Sequence, residues 1–267
     1  METLFVGKNL LELSQVDSTN SFANNLLSSK PAEGTAILAS YQSQGRGQLK
    51  NHWVSQADAN LTFSVILYPT FILPARAFLL NKIVSLAIQK VLAQHLSGQQ
   101  VQVKWPNDIL INRKKVAGIL IENQLEPSRI RSTVIGIGLN VNQTDFPEEI
   151  AQSATSMELA AGQSFDRKAI FAELMSSLEA LYLRARSGKT EQIDFDYLQG
   201  LYGYGERIKV KMQDPDILLN TFPNGEFAYA PIEKEVVLTG VHHDGRLALE
   251  FSGKLHYYHF KEVEFIL

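Results

Sequence analysis

Residues 104–122 constrain this chain more than any other stretch. Lys104-Trp105-Pro106-Asn107-Asp108 leads into Ile109-Leu110-Ile111, a polar corner at Asn112-Arg113-Lys114, and then Lys115-Val116-Ala117-Gly118-Ile119-Leu120-Ile121-Glu122. Val101, Val103 and Trp105 alternate with Gln102 and Lys104, which predicts a strand entering the motif with a period of two. Pro106 fixes its own φ, and Asn107 and Asp108 favour side-chain-bonded turns, so the strand breaks there. The two apolar runs on either side of a short polar corner predict a hairpin with buried strands. Lys115 stands at the foot of the second run. Gly118, three residues on, leaves room where a side chain would stand, and a glycine inside an apolar strand marks a close approach by a ligand or another backbone. The expectation is a lysine beside a gap.

The rest of the first two hundred residues reads as strands and helices around this hairpin. Leu10 to Val16 is a strand ending at Asp17-Ser18-Thr19-Asn20, residue types that start helices, and Phe22, Ala23, Leu26 and Leu27 then share one helical face. Such a start either caps the helix or offers hydroxyls and N–H groups to the polar or anionic end of a ligand. Thr35 to Tyr41 is a buried strand running into Gln42-Ser43-Gln44-Gly45-Arg46-Gly47-Gln48-Leu49-Lys50-Asn51-His52-Trp53. Two glycines around an arginine make either a plain surface loop or a cradle bringing N–H groups and a guanidinium to an anion, with Trp53 as a stacking face. It is neither a P-loop nor a dinucleotide fingerprint.

Leu61 to Leu67 reads as a strand, Ala75 to Leu96 as a core helix behind Pro74, and Ser132 to Ile137 as a strand entering Gly136-Ile137-Gly138-Leu139-Asn140-Val141-Asn142, whose small residues either clear one face or mark a crowded sheet position. Ala154-Thr155-Ser156 and Asp166 are expected to cap helices through Ala161 and about Arg186, and a short helix is expected from Asp194 to Leu201.

From Glu206 the character changes. Ile208 to Met212, Glu235 to Val241, Arg246 to Phe251 and Lys254 to Phe260 are short and extended, separated by turn pairs at Asn224-Gly225, Asp244-Gly245 and Ser252-Gly253. A small β-barrel is expected, with domains at 1–203 and 204–267. Its histidines, His242, His243, His256 and His259, lack a recognised zinc spacing.

Composition closes off several function classes. The net charge of −3 argues against a nucleic-acid coat, and the lack of cysteine excludes disulfides, thiol catalysis and thiolate metal sites. No signal-like N-terminus is visible, and the longest apolar run, Ile83 to Leu92, is interrupted by Ser85, Gln89 and Lys90. The expectation is a soluble cytoplasmic protein with no membrane partner.

Four motifs in this order, Ser18-Thr19-Asn20, Gln42 to Trp53, Lys104 to Glu122 and Gly136 to Asn142, resemble the biotin protein ligases, also called biotin–[acetyl-CoA-carboxylase] ligases. The resemblance covers nearly the whole chain, and its Lys-Trp-Pro-Asn-Asp element is the most specific part. It implies an α+β fold: a central mixed β-sheet with helices on one face, of the class II aminoacyl-tRNA synthetase-like, biotin–lipoyl ligase type, plus a small C-terminal SH3-like β-barrel. Larger members carry an N-terminal DNA-binding domain; this chain resembles the short form, with no DNA partner. Many members also have glycine where Lys50 stands here.

The resemblance implies ATP-dependent activation of biotin to biotinyl-5′-AMP and transfer to a lysine of a biotin carboxyl-carrier protein or domain, with Mg²⁺ accompanying ATP and no metal held by the protein alone. A homodimer is compatible with it. Lys115 and Arg46 take the catalytic positions. Ser18, Thr19, Asn20, Gln42, Gly45, Arg46, Gly47, Gln48, Lys115 and Gly118 line the biotin site, and Arg46, Trp53, Asp108, Lys115 and Asn140 the adenylate. Loss of Arg46 would release the adenylate. The competing readings are a lipoate or octanoyl ligase or transferase of the same fold, and a non-catalytic biotin-binding adaptor.

Overall fold

The computed structural model describes residues 2–48, 51–213, 219–221, 227–228 and 231–267. Lys50 and the Asn224-Gly225 turn lie outside the described residues. Two compact units meet at the Gly200–Leu201 bond, three residues before the turn at Gly203. The reason is local: Val103 N–H donates to the Gly200 carbonyl, while Gly205 N–H donates to Leu238.

The first unit contains β1 (Leu10–Val16), α1 (Thr19–Leu26), β2 (Ala36–Gln42), β3 (Leu61–Leu67), α2 (Phe78–His95), β4 (Val101–Lys104), β5 (Asp108–Ile111), β6 (Lys114–Glu126), β7 (Arg129–Leu139), α3 (Met157–Ala161), α4 (Arg167–Arg186) and α5 (Glu191–Gln199). The strands form one seven-stranded sheet in the order β1-β2-β3-β7-β6-β5-β4. β1 runs parallel to β2 and every other pair is antiparallel, so the sheet is mixed.

Register assigns the faces, because directly opposed residues share one. Ile37 faces Ser64, Ser64 faces Gly136, and Gly136 faces Leu120. Ile37, Ile66 and Val134 pack with Ala23 of α1 on this side. On the other side Phe63 meets Phe171 of α4 edge-on, with ring centroids 5.1 Å apart. The long helices α2 and α4 pack together, while the short α1 lies on the face that carries the glycines. This two-sided cover explains why Leu61-Thr62-Phe63-Ser64-Val65-Ile66-Leu67 is buried at every position.

Pro74–His95 is long and apolar enough, by length and composition alone, to cross a membrane, but 61% of its apolar 18-residue stretch is buried within the fold. The Asn112-Arg113 corner has φ of 48° and 67°, the left-handed pair of a two-residue hairpin turn. Ser156 and Asp166 cap their helices by accepting the N–H groups of Leu159 and Lys168. β7 starts at Arg129, earlier than expected, because its ladder with β6 extends to the charged pair Glu126 and Arg129. α5 starts at Glu191 rather than Asp194, whose carboxylate instead holds the buried Lys82 at 2.6 Å.

Glu179 of α4, only 5% exposed, accepts the N–H groups of Leu4, Phe5 and Val6 at 2.6, 2.8 and 2.9 Å. Burial alone would raise its pKa, but these three bonds and nearby Lys8 outweigh burial and hold it below the ordinary carboxylate range. A depressed folded pKa contributes stability above the unfolded pKa and loses it as pH falls through the folded value. Glu179→Ala is therefore expected to cost roughly 2–3 kcal/mol in denaturant unfolding at neutral pH, because three N–H groups lose their acceptor. The difference from the parent should shrink below the ordinary carboxylate range; a gap independent of pH would refute the assignment.

The second unit contains β8 (Arg207–Gln213), β9 (Leu219–Thr221), β10 (Phe227–Ala228), β11 (Pro231–Val241), β12 (Leu247–Phe251), β13 (Lys254–Tyr258) and β14 (Val263–Phe265). Five of these form an antiparallel sheet in the order β13-β12-β11-β8-β14, and β9 pairs with β10. Val210, Met212, Val236, Leu238, Leu247 and Leu249 form its buried side.

Candidate active site

Three glycines clear the α1-bearing face of the sheet. Gly118 lies opposite Gly138, and Gly136 opposite Leu120. A Cβ on Gly138 would overlap the Trp53 indole, and one on Gly136 would overlap the Asn20 side-chain amide. A Cβ on Gly118 would stand 3.3 Å from both the Lys115 ammonium and the Trp53 ring. The space expected beside Gly118 therefore has a lysine and an indole as its walls.

Lys115 reaches that face through a register shift. Asp108 pairs with Gly118 and Ile109 with Ala117, but Leu110 pairs with Lys115, so Val116 is an extra residue in β6. Strict alternation would put residues 115 and 118 on opposite faces; the bulge returns Lys115 to the glycine side. Its Nζ lies 2.7 Å from Asp108 Oδ1 and 5.8 Å from the centre of a Trp53 ring, on a side chain 40% exposed. The Lys115 backbone is held from outside the sheet as well: its N–H donates to Ser153 and its carbonyl accepts from Thr155. Asn107 fastens the Pro106 turn to β6 by donating its amide to the Ile119 carbonyl at 2.7 Å.

Asn140 follows β7 beside this lysine strand, donating its backbone N–H to Val116. Its side-chain amide donates to Thr155, and Oδ1 is buried without a partner. Among the described residues no group of three or more His, Cys, Asp or Glu side chains can hold a metal ion.

At the head of α1, Ser18 takes the N-cap position but its hydroxyl makes no cap bond. The Thr19 N–H is taken instead by the Gln42 side chain at 2.7 Å, tying the end of β2 to the helix. Buried Ser64 is within hydrogen-bond distance of Thr19 Oγ1 at 2.8 Å and Asn20 Oδ1 at 2.6 Å. Thr19 and Asn20 are thus fixed over Gly136, and Ser18 keeps an uncommitted hydroxyl on a pocket also lined by Ser21, Arg46 and Gly47.

The Gly-Arg-Gly segment closes on itself. Arg46 bridges to His52, Gly47 N–H donates to Asn51, and Trp53 N–H donates to Gly45. Gly45 is required by contact, since a Cβ there would overlap the Trp53 carbonyl. Arg46 forms an ion pair with Glu122 at 2.7 Å, while Lys115 is paired with Asp108. Gln48 has a buried Oε1 without a partner among the described residues.

Lys115, Trp53, Asp108 and Gly118 thus come together, while Ser18, Thr19, Asn20, Gln42 and Arg46 gather at the head of α1. Sequence reasoning gave no role to Glu122 or Ser64, and to Asn107 only that of a turn residue. Glu122 had one usable signal, its even spacing from Gly118.

The mixed sheet thus carries, on one face, three glycines, a cation at each end and an indole wall, a lining of the kind that suits a small elongated ligand with an anionic end. Residues 12–142, which carry the four motifs, match the Biotin/lipoate A/B protein ligase family, and the chain belongs to that family. Within it, the chain is similar to biotin protein ligases. It is 38% identical over 184 residues to the bifunctional ligase/repressor BirA of Bacillus subtilis, covering 68% of this chain and 56% of that protein. It is 28% identical over 246 residues to the biotin–[acetyl-CoA-carboxylase] ligase of Mycobacterium tuberculosis, covering 91% and 83%. The biotin protein ligase from Aquifex aeolicus in complex with biotin and ATP superimposes with a TM-score of 0.75 at 26% identity, covering 96% of this chain and 98% of that one. The chain spans a little over half the length of the BirA proteins it matches.

Proposed function

We propose that this protein is an ATP-dependent biotin–[biotin carboxyl-carrier protein] ligase. The observation that carries the proposal is the meeting of Lys115 and Trp53 over Gly118, a cation and a stacking face on one cleared floor. The chemistry has an electrostatic obstacle, since a carboxylate must approach a polyphosphate. In the first half, a biotin carboxylate oxygen bonds to the α-phosphorus and the bond to the leaving pyrophosphate breaks. In the second, a carrier lysine nitrogen bonds to the acyl carbon, AMP leaves and the amine loses a proton.

Lys115 bridges the carboxylate and the α-phosphate in both halves, leaving Asp108 as the ligand takes over its ammonium. It acts as a fixed charge placed where charge develops. Gly118 admits the biotin hydrocarbon beside the indole that Gly138 accommodates, and Ser18, Thr19, Asn20 and Gln42 supply polar partners for the ureido ring. Trp53 stacks on adenine, and Arg46, Gly45, Gly47 and Gln48 close the loop over the adenylate and exclude water from the anhydride. Mg²⁺ supplies neutralisation of the phosphate charge when bound. The unengaged Oδ1 of Asn140 fits a hard cation, and Asn140 is the residue proposed to face it.

One incubation of the protein with ATP, Mg²⁺, biotin and a purified carrier domain, read by mass, tests the proposal. The expected result is one biotin added per carrier lysine, and none when lipoate replaces biotin. Transfer of lipoate in place of biotin would establish the rival ligase, and binding without transfer the adaptor.

A further inference from the structure

We infer that Glu122 is the positioning residue for Arg46, fixing the Gly-Arg-Gly loop over the site through a polar chain that starts inside the sheet; its catalytic consequence rests on the ligase reading above. Gly118, Leu120 and Glu122 alternate on β6, so the Glu122 carboxylate rises from the glycine face at the head of α1. Four donors converge on it. Arg46 Nη2 reaches Oε1 at 2.7 Å, and Nη1 reaches Oε2 at 3.3 Å. The side-chain amides of Asn20 and Asn24 reach Oε2 at 2.9 and 3.0 Å.

The inner side of this cluster is rigid. Asn20 is 3% exposed and sits on Gly136, donating to the Leu120 carbonyl at 3.2 Å as well as to Glu122. Its Oδ1 is engaged by Ser64 at 2.6 Å. The carboxylate is therefore oriented from below before the arginine arrives, and the planar guanidinium matches it with two nitrogens. The outer side is more open: the Arg46 side chain is 44% exposed, and its further side-chain contact among the described residues is a long 3.4 Å bond to Ser21. A half-exposed ion pair is worth little to global stability. Its effect falls on where the guanidinium points, and through Arg46 on the loop bounded by Gly45 and Trp53. The same chain passes through Thr19 and Asn20, so it joins the residues proposed for the biotin ring to the loop proposed for the adenylate.

Two readouts on the full-length protein test this. Without ligands, brief chymotrypsin digestion followed by mass mapping reports opening of residues 42–53. Glu122→Gln, which keeps the amide contacts but removes the charge, is expected to raise cleavage there about fivefold with an unchanged melting midpoint. Arg46→Ala should do the same, and the double variant Arg46→Ala/Glu122→Gln should be no worse than either. Arg46→Lys, which keeps the charge but not the two-nitrogen match, should fall between. With biotin and MgATP, Glu122→Gln should release biotinyl-5′-AMP about fivefold faster while pyrophosphate exchange at saturating substrate stays within about twofold of the parent. Parent-like cleavage in Glu122→Gln, or effects that add in the double variant, would overturn the inference. A parent that forms no biotinyl-5′-AMP, yet shows the expected cleavage pattern, would reject the ligase reading and leave the Glu122–Arg46 latch standing.

Discussion

Lys115→Ala is expected to lose biotin-dependent exchange of labelled pyrophosphate into ATP by a hundredfold or more, because one preorganised donor at a developing charge is worth about that much. Stability should barely move. The Lys115–Asp108 pair is partly exposed on both sides, at 40% and 21%, and such pairs contribute about 0–1 kcal/mol. The contrast between a large kinetic loss and a small change in melting midpoint separates catalysis from scaffolding. Asp108→Asn is the control: it removes the resting partner but keeps the ammonium, so its loss should stay below about tenfold if Lys115 is the group that acts. Near-normal exchange by Lys115→Ala would remove this lysine from the mechanism.

The second large effect is expected at Gly138→Val. All three nearest atoms to a Cβ at this position belong to the Trp53 indole, so the substitution has to lift the ring off the floor. Overpacking of this kind costs roughly 1–3 kcal/mol, and loss of the stacking face should raise the KM for ATP at least about tenfold. The decisive comparison is the same substitution in a Trp53→Ala background. With the ring gone the clash goes too, so Gly138→Val should then cost little further stability. If it remains equally destabilising there, the strain lies elsewhere in β7 and the indole is not what the glycine accommodates.

Much of this architecture was legible in residue patterns. Leu61 to Leu67 and Leu10 to Val16 are strands with the bounds their apolar runs suggested, and Ser156 and Asp166 cap where their types and positions said they would. The glycines at 118, 136 and 138 marked a cleared surface, because an apolar strand has few other reasons to omit side chains. What the sequence did not show were properties of two strands at once. Neither the bulge at Val116 nor the pairing of Gly118 with Gly138 exists until a register is chosen. The partner of Arg46 was hidden for the same reason: Glu122 is 76 residues away and reads, in one dimension, as the polar end of an apolar run. Ser18 shows the limit from the other side, since a cap and a ligand group have the same residue type and only the missing cap bond distinguishes them.

The extra residue at Val116 has a consequence for how this region tolerates changes in length. The face on which Lys115 emerges depends on a parity, and the hairpin between β5 and β6 sets it by counting residues from the Asn112-Arg113 corner. Removing Lys114 would straighten the ladder with Lys115 opposite Ile111 and turn the ammonium toward the side occupied by Ala117 and Ile119, both nearly fully buried, whereas removing Val116 would straighten it with Lys115 still opposite Leu110 on the glycine side. A charged group cannot settle there without a partner. Substitutions along this hairpin can therefore be graded by size and charge, whereas losing the one residue between the corner and Lys115 acts as a frame error in three dimensions, exchanging the inside of the protein for its working surface.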